Sequence, residues 1–299
     1  VRFTPDDIPD LTDRTAVVTG ANSGIGRVTA GELAAHGARV VFACRNVDTA
    51  RAAAESVSGD TRVEQLDLSS LRSVHEFAER WREPLDILVN NAGVMAPPRY
   101  RQTADGHELM FGTNHLGHFA LTGLLLPALL DADHPRVVTV GSIAHHGGTD
   151  RVLAANPQEG YHPGTCYAHS KLANVLFLRE LHRRAVAAGS RLESVGAHPG
   201  VAATNLVASR DGRGANPVIR RTAPYLMPVF FQSASRGADA TLYAATLAKP
   251  GSYSGPQRWG ETRGPIGPAK LSSYARNEDL ARRLWELSEQ KTGVRFHIR

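Results

Sequence analysis

Residues 14–26 read RTAVVTGANSGIG, and their order decides the fold. A short apolar run rich in β-branched residues ends at Gly20, and a helix-forming stretch from Ile25 to His36 follows. Strand, glycine turn and helix in succession open a βαβ unit. Within the turn, Gly20 allows a tight reversal, Gly24 lets the backbone approach a pyrophosphate, and Gly26 permits close packing of helix on strand. Together with Asn22, Ser23 and Ile25, these residues aim backbone N–H groups at an anion near the helix start. The spacing is GxxxGxG rather than GxGxxG. Alone it is a weak sign, since an ordinary strand-to-helix turn can look the same.

The alternation continues outward. Apolar runs at 38–45, 61–68, 85–93, 135–142 and 191–200 read as strands, with SYSGPQRW at 252–259 as a last short one. Helical stretches are expected at 48–57, 71–81, 107–130 (one or two helices, bent near Pro127), 167–188, 233–249 and 277–292. The expected fold is therefore α/β: a doubly wound parallel sheet of about seven strands, a Rossmann three-layer sandwich. Residues 1–13 read as a lead-in arm and 143–165 as a loop. The stretch 201–232, with Gly212, Gly214, Pro217, Pro224 and Pro228, reads as a substrate lid. No linker divides the chain, so 1–299 is read as a single dinucleotide-binding domain.

Composition narrows the function. The 299 residues are 42% hydrophobic, enough for a substantial core. Cys44 and Cys166 are the two cysteines and form no CxxC pair, which suits a reducing, cytoplasmic setting. VRFTPDDIPD has no signal-peptide character, and the apolar tract 121–130 is too short to span a membrane. The net charge of +5 comes from scattered arginines, so no nucleic-acid partner is expected. His115, His118, His145, His146, His169 and His198 form no coherent ligand set, and no metal is expected. Cys166 adjoins Tyr167 but has no evident partner base.

The second strand ends in Cys44-Arg45-Asn46. A carboxylate here suits the ribose hydroxyls of NAD, whereas a cation favours a 2′-phosphate, so Arg45 points to NADP over NAD, with Arg39 or Arg27 as helpers. After the third strand, Asp67-Leu68 can meet the adenine, or Asp67 can cap the next helix. Asn90, Asn91, Ala92 and Gly93 end the fourth strand, where compact residues admit a ribose. Tyr167 and Lys171 stand four apart on a helix and share a face. A tyrosine can give a proton to the oxygen that hydride transfer leaves negative, and a nearby lysine cation favours its phenolate. Ser142, at a strand end, can hold the same oxygen. Asn114 can hold a water near Lys171 or be a buried amide bonded to backbone. Pro199, Gly200, Val201 and Thr204 follow the sixth strand, where they can hold a nicotinamide carboxamide.

TGANSGIG, NNAG, Ser142, YAHSK and HPG together resemble the short-chain dehydrogenase/reductase family, strongly over 14–205. TNHLGHF, SKLANVLFLREL and HPGVAATNL resemble its branch of retinol dehydrogenases, the WW-domain oxidoreductase and light-dependent protochlorophyllide reductases. The resemblance implies a seven-stranded sheet, Tyr167 as acid/base, Lys171 as its modulator and ribose ligand, Ser142 as ligand of the substrate oxygen, and Asn114 in a proton relay. His169 departs from the alanine common at that place and is expected to face outward or toward the lid. The resulting expectation is NADPH-linked reduction of an apolar small molecule, a lipophilic aldehyde or ketone. The alternatives are a non-catalytic dinucleotide-binding sensor or scaffold, and a reductase of C=C bonds. The helices at 107–130 and 167–188 offer faces for a homo-oligomer, unless the sheet uses them.

Overall fold

The computed structural model describes residues 3–200 and 233–299. Strands β1 (Thr15–Thr19), β2 (Arg39–Cys44), β3 (Thr61–Gln65), β4 (Ile87–Asn90), β5 (Arg136–Val140), β6 (Glu193–Ala197), β7 (Tyr253–Arg258) and β8 (Arg263–Pro268) form one sheet. Its order is β3-β2-β1-β4-β5-β6-β7-β8. All neighbours are parallel except β7 and β8. The chain begins near the middle of the sheet, winds outward to β3, then returns past β1 to β4. That reversal opens a crevice at the carboxyl ends of β1 and β4.

Side-chain alternation along β1 splits the core. Ala16 and Val18 face a layer containing Leu33 of α1 (Gly24–Ala35), Ala50 of α2 (Val47–Ala54) and a helix at Ala234–Thr246. Val17 faces the other layer, with Phe77 of α3 (Leu71–Arg80) and Phe119, Leu129 and Phe177 from the helices between β4 and β6. Both faces are apolar, as a buried parallel sheet requires.

Three expectations are corrected. The stretch 107–130 is divided further than the one or two helices expected. It comprises α4 (Leu109–Phe111), a π-turn (Gly112–Leu116), α5 (Gly117–Leu124) and α6 (Leu126–Asp131), with Pro127 in the first turn of α6. Proline is tolerated there because the first turn's N–H groups need no intrahelical acceptor. The stretch 143–165 holds two 3-10 turns, Ile143–Gly147 and Asp150–Ala154, and the next helix, α7 (Pro163–Ala187), begins four residues before Tyr167. The sheet has eight strands rather than seven. The added strand β8, RGPIGP, carries two prolines, which an edge strand accepts where a central one does not.

With Ala234–Thr246 as α8, the last helix is α9 (Glu278–Thr292). It and the residues after it pack over α5 and α7, where Phe296 meets Phe119 at 4.8 Å and Trp285 at 4.5 Å between ring centroids. Gly123 of α5 leaves the space, since a Cβ there would lie 2.7 Å from the Phe296 ring.

Candidate active site

The glycine turn is built as a cradle. Gly20 and Gly24 have φ of +67° and +55°, which favour glycine. A Cβ at Gly26 would lie 2.5 Å from both the Gly20 carbonyl oxygen and Asn91 Nδ2, so α1 approaches the turn as closely as backbone allows. Ser23 is the N-cap of α1 and its hydroxyl makes no capping bond. Asn22, Ser23, Gly24, Arg27 and Thr49 line a hollow between α1 and α2. Ile25 packs on the apolar core beneath. Asn46 caps α2 by accepting from Thr49 N at 2.9 Å, just after Arg45 leaves β2.

Arg39 is not a helper to Arg45. It begins β2, at the opposite end of the strand, and pairs with Asp60 at 3.2 Å and Glu83 at 2.8 Å. Asp67 does not cap α3 either. Ser70 does so, while the Asp67 carboxylate accepts from Ser69 N and Oγ in a local turn. Leu68 is buried, and its carbonyl lies against Gly117, where no larger residue fits.

Behind the cradle, Thr19 ties β1 to β4. Its hydroxyl accepts from Asn91 N at 2.9 Å and Ala92 N at 3.0 Å, and Asn91 Nδ2 donates to the Thr19 carbonyl. Asn90 bonds Thr122 instead. His118 Nε2 lies 2.9 Å from the Thr19 hydroxyl and its Nδ1 lies 3.0 Å from the Asn114 carbonyl. A carbonyl can only accept, so Nδ1 carries the proton and Nε2 accepts from Thr19. Burial, reinforced by the Lys171 charge, pushes His118 down to about 4 and keeps it neutral. Its partners and those of His115, which bonds Ser288 of α9, explain two histidines in wholly structural terms.

Asn114 sits in the π-turn, fully buried. Its carboxamide accepts from Val94 N at 2.7 Å and donates to Val94 O and Ser170 Oγ, each at 3.0 Å. The buried amide bonded to backbone is thus what the fold contains, and the side chain holds the segment after β4 against α7. A Cβ at Gly93 would lie 3.2 Å from Asn114 Oδ1 and 3.8 Å from Lys171 Nζ.

Lys171 is buried, with Nζ donating to Val140 O at 3.1 Å and standing 5.9 Å from the Tyr167 ring centroid. Burial pulls its ammonium down to about 8. Tyr167 is partly buried against Val94, Leu109, Met110 and Cys166. Ser142 lies two residues beyond Val140, and its hydroxyl accepts from Ala144 N at 3.1 Å, leaving its proton for another acceptor. The fold therefore brings Asn114, Ser142, Tyr167 and Lys171 to one end of the sheet, beside Gly93 and the glycine turn. Pro199 and Gly200 follow β6 at the same end, with Gly200 at φ +68°. Val201, Thr204 and the lid at 201–232 lie outside the described residues.

A model of the short chain dehydrogenase family matches residues 14–213. The chain belongs to the short-chain dehydrogenase family. Retinol dehydrogenase 12 of Mus musculus is 40% identical over 297 residues, covering 95% of this chain and 87% of that protein. A crystal structure of an uncharacterised protein from Mycobacterium paratuberculosis is 42% identical, with a TM-score of 0.82 over 99% of this chain and 100% of that one. A short chain dehydrogenase from Shigella flexneri, complexed with NADP, is 25% identical, with a TM-score of 0.62 over 82% of this chain and 97% of that one. This short-chain dehydrogenase resembles the retinol dehydrogenases and is a dinucleotide-dependent oxidoreductase acting on a small molecule. Among its described residues no helix is long and apolar enough to cross a membrane.

One network escaped the sequence reading. Glu108 is buried and accepts from Met110 N, Phe111 N and Asn156 Nδ2, each at 2.9 Å. Asn156, at φ +55°, also donates to Cys166 O and accepts from His169 Nδ1 at 3.0 Å. His169 is buried among these groups rather than facing outward. An asparagine in a loop gives no hint of such a role, because its partners come from two separate segments, one before β5 and one on α7.

Proposed function

We propose that this enzyme reduces lipophilic aldehydes or ketones with NADPH. It does so within a single domain spanning 1–299, whose substrate lid is formed by 201–232. The observation that carries this reading is the buried Lys171 ammonium beside Tyr167, with Ser142 at the adjoining strand end. When bound, the nicotinamide supplies the hydride. The chain's own work is to hold the substrate oxygen and give it a proton. Ser142 donates a hydrogen bond to that oxygen and Tyr167 delivers the proton. Lys171 favours the phenolate that remains and holds the ribose hydroxyls with the N–H donors that Val140 leaves over. Asn114 serves the proton relay by holding the segment after β4 against α7, beside Lys171.

The glycines at 20 and 26 let the turn, α1 and the end of β4 close on one another, and Gly93 brings its backbone against Asn114 and Lys171, the compact backbone a dinucleotide needs. Asn22, Ser23, Gly24 and Ile25 cradle the pyrophosphate, Asp67 and Leu68 the adenine, Asn91, Ala92 and Gly93 the ribose. Pro199, Gly200, Val201 and Thr204 hold the nicotinamide. Arg45 and Asn46 bind the 2′-phosphate, and Arg27, which lines the neighbouring hollow, supplies a second cation. The relatives named for retinol support a lipophilic substrate. Two buried free thiols suit the cytoplasm.

NADPH oxidation across a panel of aldehydes, ketones and conjugated enones tests the reading. Tyr167→Phe is expected to lower kcat roughly 10²–10⁴-fold on any substrate found. Near-normal turnover by that variant would overturn the assignment of the proton donor.

A further inference from the structure

His198 follows β6 and is fully buried. Gly200 N donates to its Nδ1 at 3.2 Å, so Nδ1 is unprotonated and the ring's proton resides on Nε2. Burial holds the ring below the ordinary histidine range, the Glu261 carboxylate opposes this, and His145 and His146 add to it. Glu261 Oε2 stands 3.3 Å from Nε2, off the line of a well-formed hydrogen bond.

Several features deliver that carboxylate. Glu261 lies in the turn between β7 and β8, in a left-handed conformation at φ +66°. Its other oxygen accepts from Lys270 N at 2.9 Å. Gly255 of β7 makes the room, since a Cβ there would collide with His198 Nε2. The Tyr253 ring packs on His198 at 5.5 Å and on His145 at 5.6 Å between centroids. His145 Nδ1 donates to Ser142 O at 2.8 Å.

We infer that Glu261 and His198 are positioning residues for the nicotinamide end of the dinucleotide. Glu261 selects the His198 tautomer whose Nδ1 accepts from Gly200, and that bond sets the turn at Pro199 and Gly200. The added antiparallel strand β8 thereby reaches the reacting end of the cofactor through one carboxylate. The inference rests on the assignment of residues 199–200 to the nicotinamide.

The test compares full dinucleotides with their nicotinamide-free fragments, NADPH against 2′-phospho-ADP-ribose and NADH against ADP-ribose, by calorimetry on the full chain. The ratio of affinities isolates the nicotinamide end and needs no substrate. His198→Ala is expected to shrink that ratio about tenfold, the scale of one lost hydrogen bond. Glu261→Ala should shrink it several-fold, with fragment affinity unchanged in both. His198→Asn should restore it to within about twofold, because an asparagine side-chain oxygen accepts from the N–H two residues on. Wild-type ratios in both alanine variants overturn the inference. Should His198→Ala fail to fold, the ratio in Glu261→Ala decides alone. A wild-type protein that binds fragments as tightly as full dinucleotides overturns the nicotinamide assignment itself, and this inference with it.

Discussion

Lys171 shows how one residue is made reactive at a cost to stability. Its ammonium lies in the interior and burial alone depresses it to about 8. The folded chain therefore binds fewer protons than the unfolded one between about pH 8 and the ordinary lysine value of 10.5, and stability rises with pH across that window. Lys171→Met is expected to abolish turnover yet raise stability at pH 7 by about 1–2 kcal/mol, a gain that fades above pH 8. Urea unfolding at pH 7 and pH 9.5 would show this, and a variant less stable at both would contradict it. Arg45 is argued at the same scale. Arg45→Glu should weaken NADPH binding by about tenfold or more while leaving NADH within a few-fold, as a phosphate loses its cation and meets an anion. Equal losses for both would assign Arg45 to the surface. The Tyr167–Lys171 spacing was legible in sequence because a helix sets it locally. The His118–Thr19 bond was not, because its partners stand 99 residues apart and only the assembled sheet brings them together.

Among elements, the π-turn and the start of α7 depend on a loop between them. Asn156 links the Glu108 cap of α4 to Cys166 and His169 on either side of Tyr167. Asn156→Ala strands a buried carboxylate with one donor fewer and places a Cβ-bearing residue without local hydrogen bonding at positive φ. We expect a loss of about 2–4 kcal/mol in urea unfolding. Asn156→Gly should recover only the backbone share, and full recovery by glycine would show that the side-chain bonds contribute nothing. The strand and helix alternation was legible element by element, from β1 through β6, because most of these strands are buried apolar runs and the polar edge strand β3 keeps its place between two helical stretches. β8 was hidden, since proline and glycine mark turns in sequence whereas its edge position is a property of the sheet. The breaks within 107–130 were hidden likewise. A π-turn changes the hydrogen-bond ladder without changing the apolar pattern.

For the whole molecule, the aromatic group of Phe119, Phe177, Trp285 and Phe296 joins the last helix to the layer that carries the reacting residues. Arg184 adds its guanidinium over Trp285 at 4.5 Å. The apolar faces that the sequence offered to an oligomer are, on α5 and α7, partly spent on the chain's own α9. Phe296→Ala should cost about 2–4 kcal/mol by opening a cavity against Gly123 and Phe119. Thermal unfolding checks this, and a Tm shift under 1 °C would place Phe296 outside the cooperative core.

The same arrangement constrains the order of events on the ribosome. Residues 278–298 are synthesised after every strand and after both helices they cover. Until they emerge, Phe119 and Phe177 lack Trp285 and Phe296, and His115 lacks Ser288. A nascent chain stopped before residue 278 would thus present an apolar surface over a completed sheet, so this face closes only after the sheet it covers has been made.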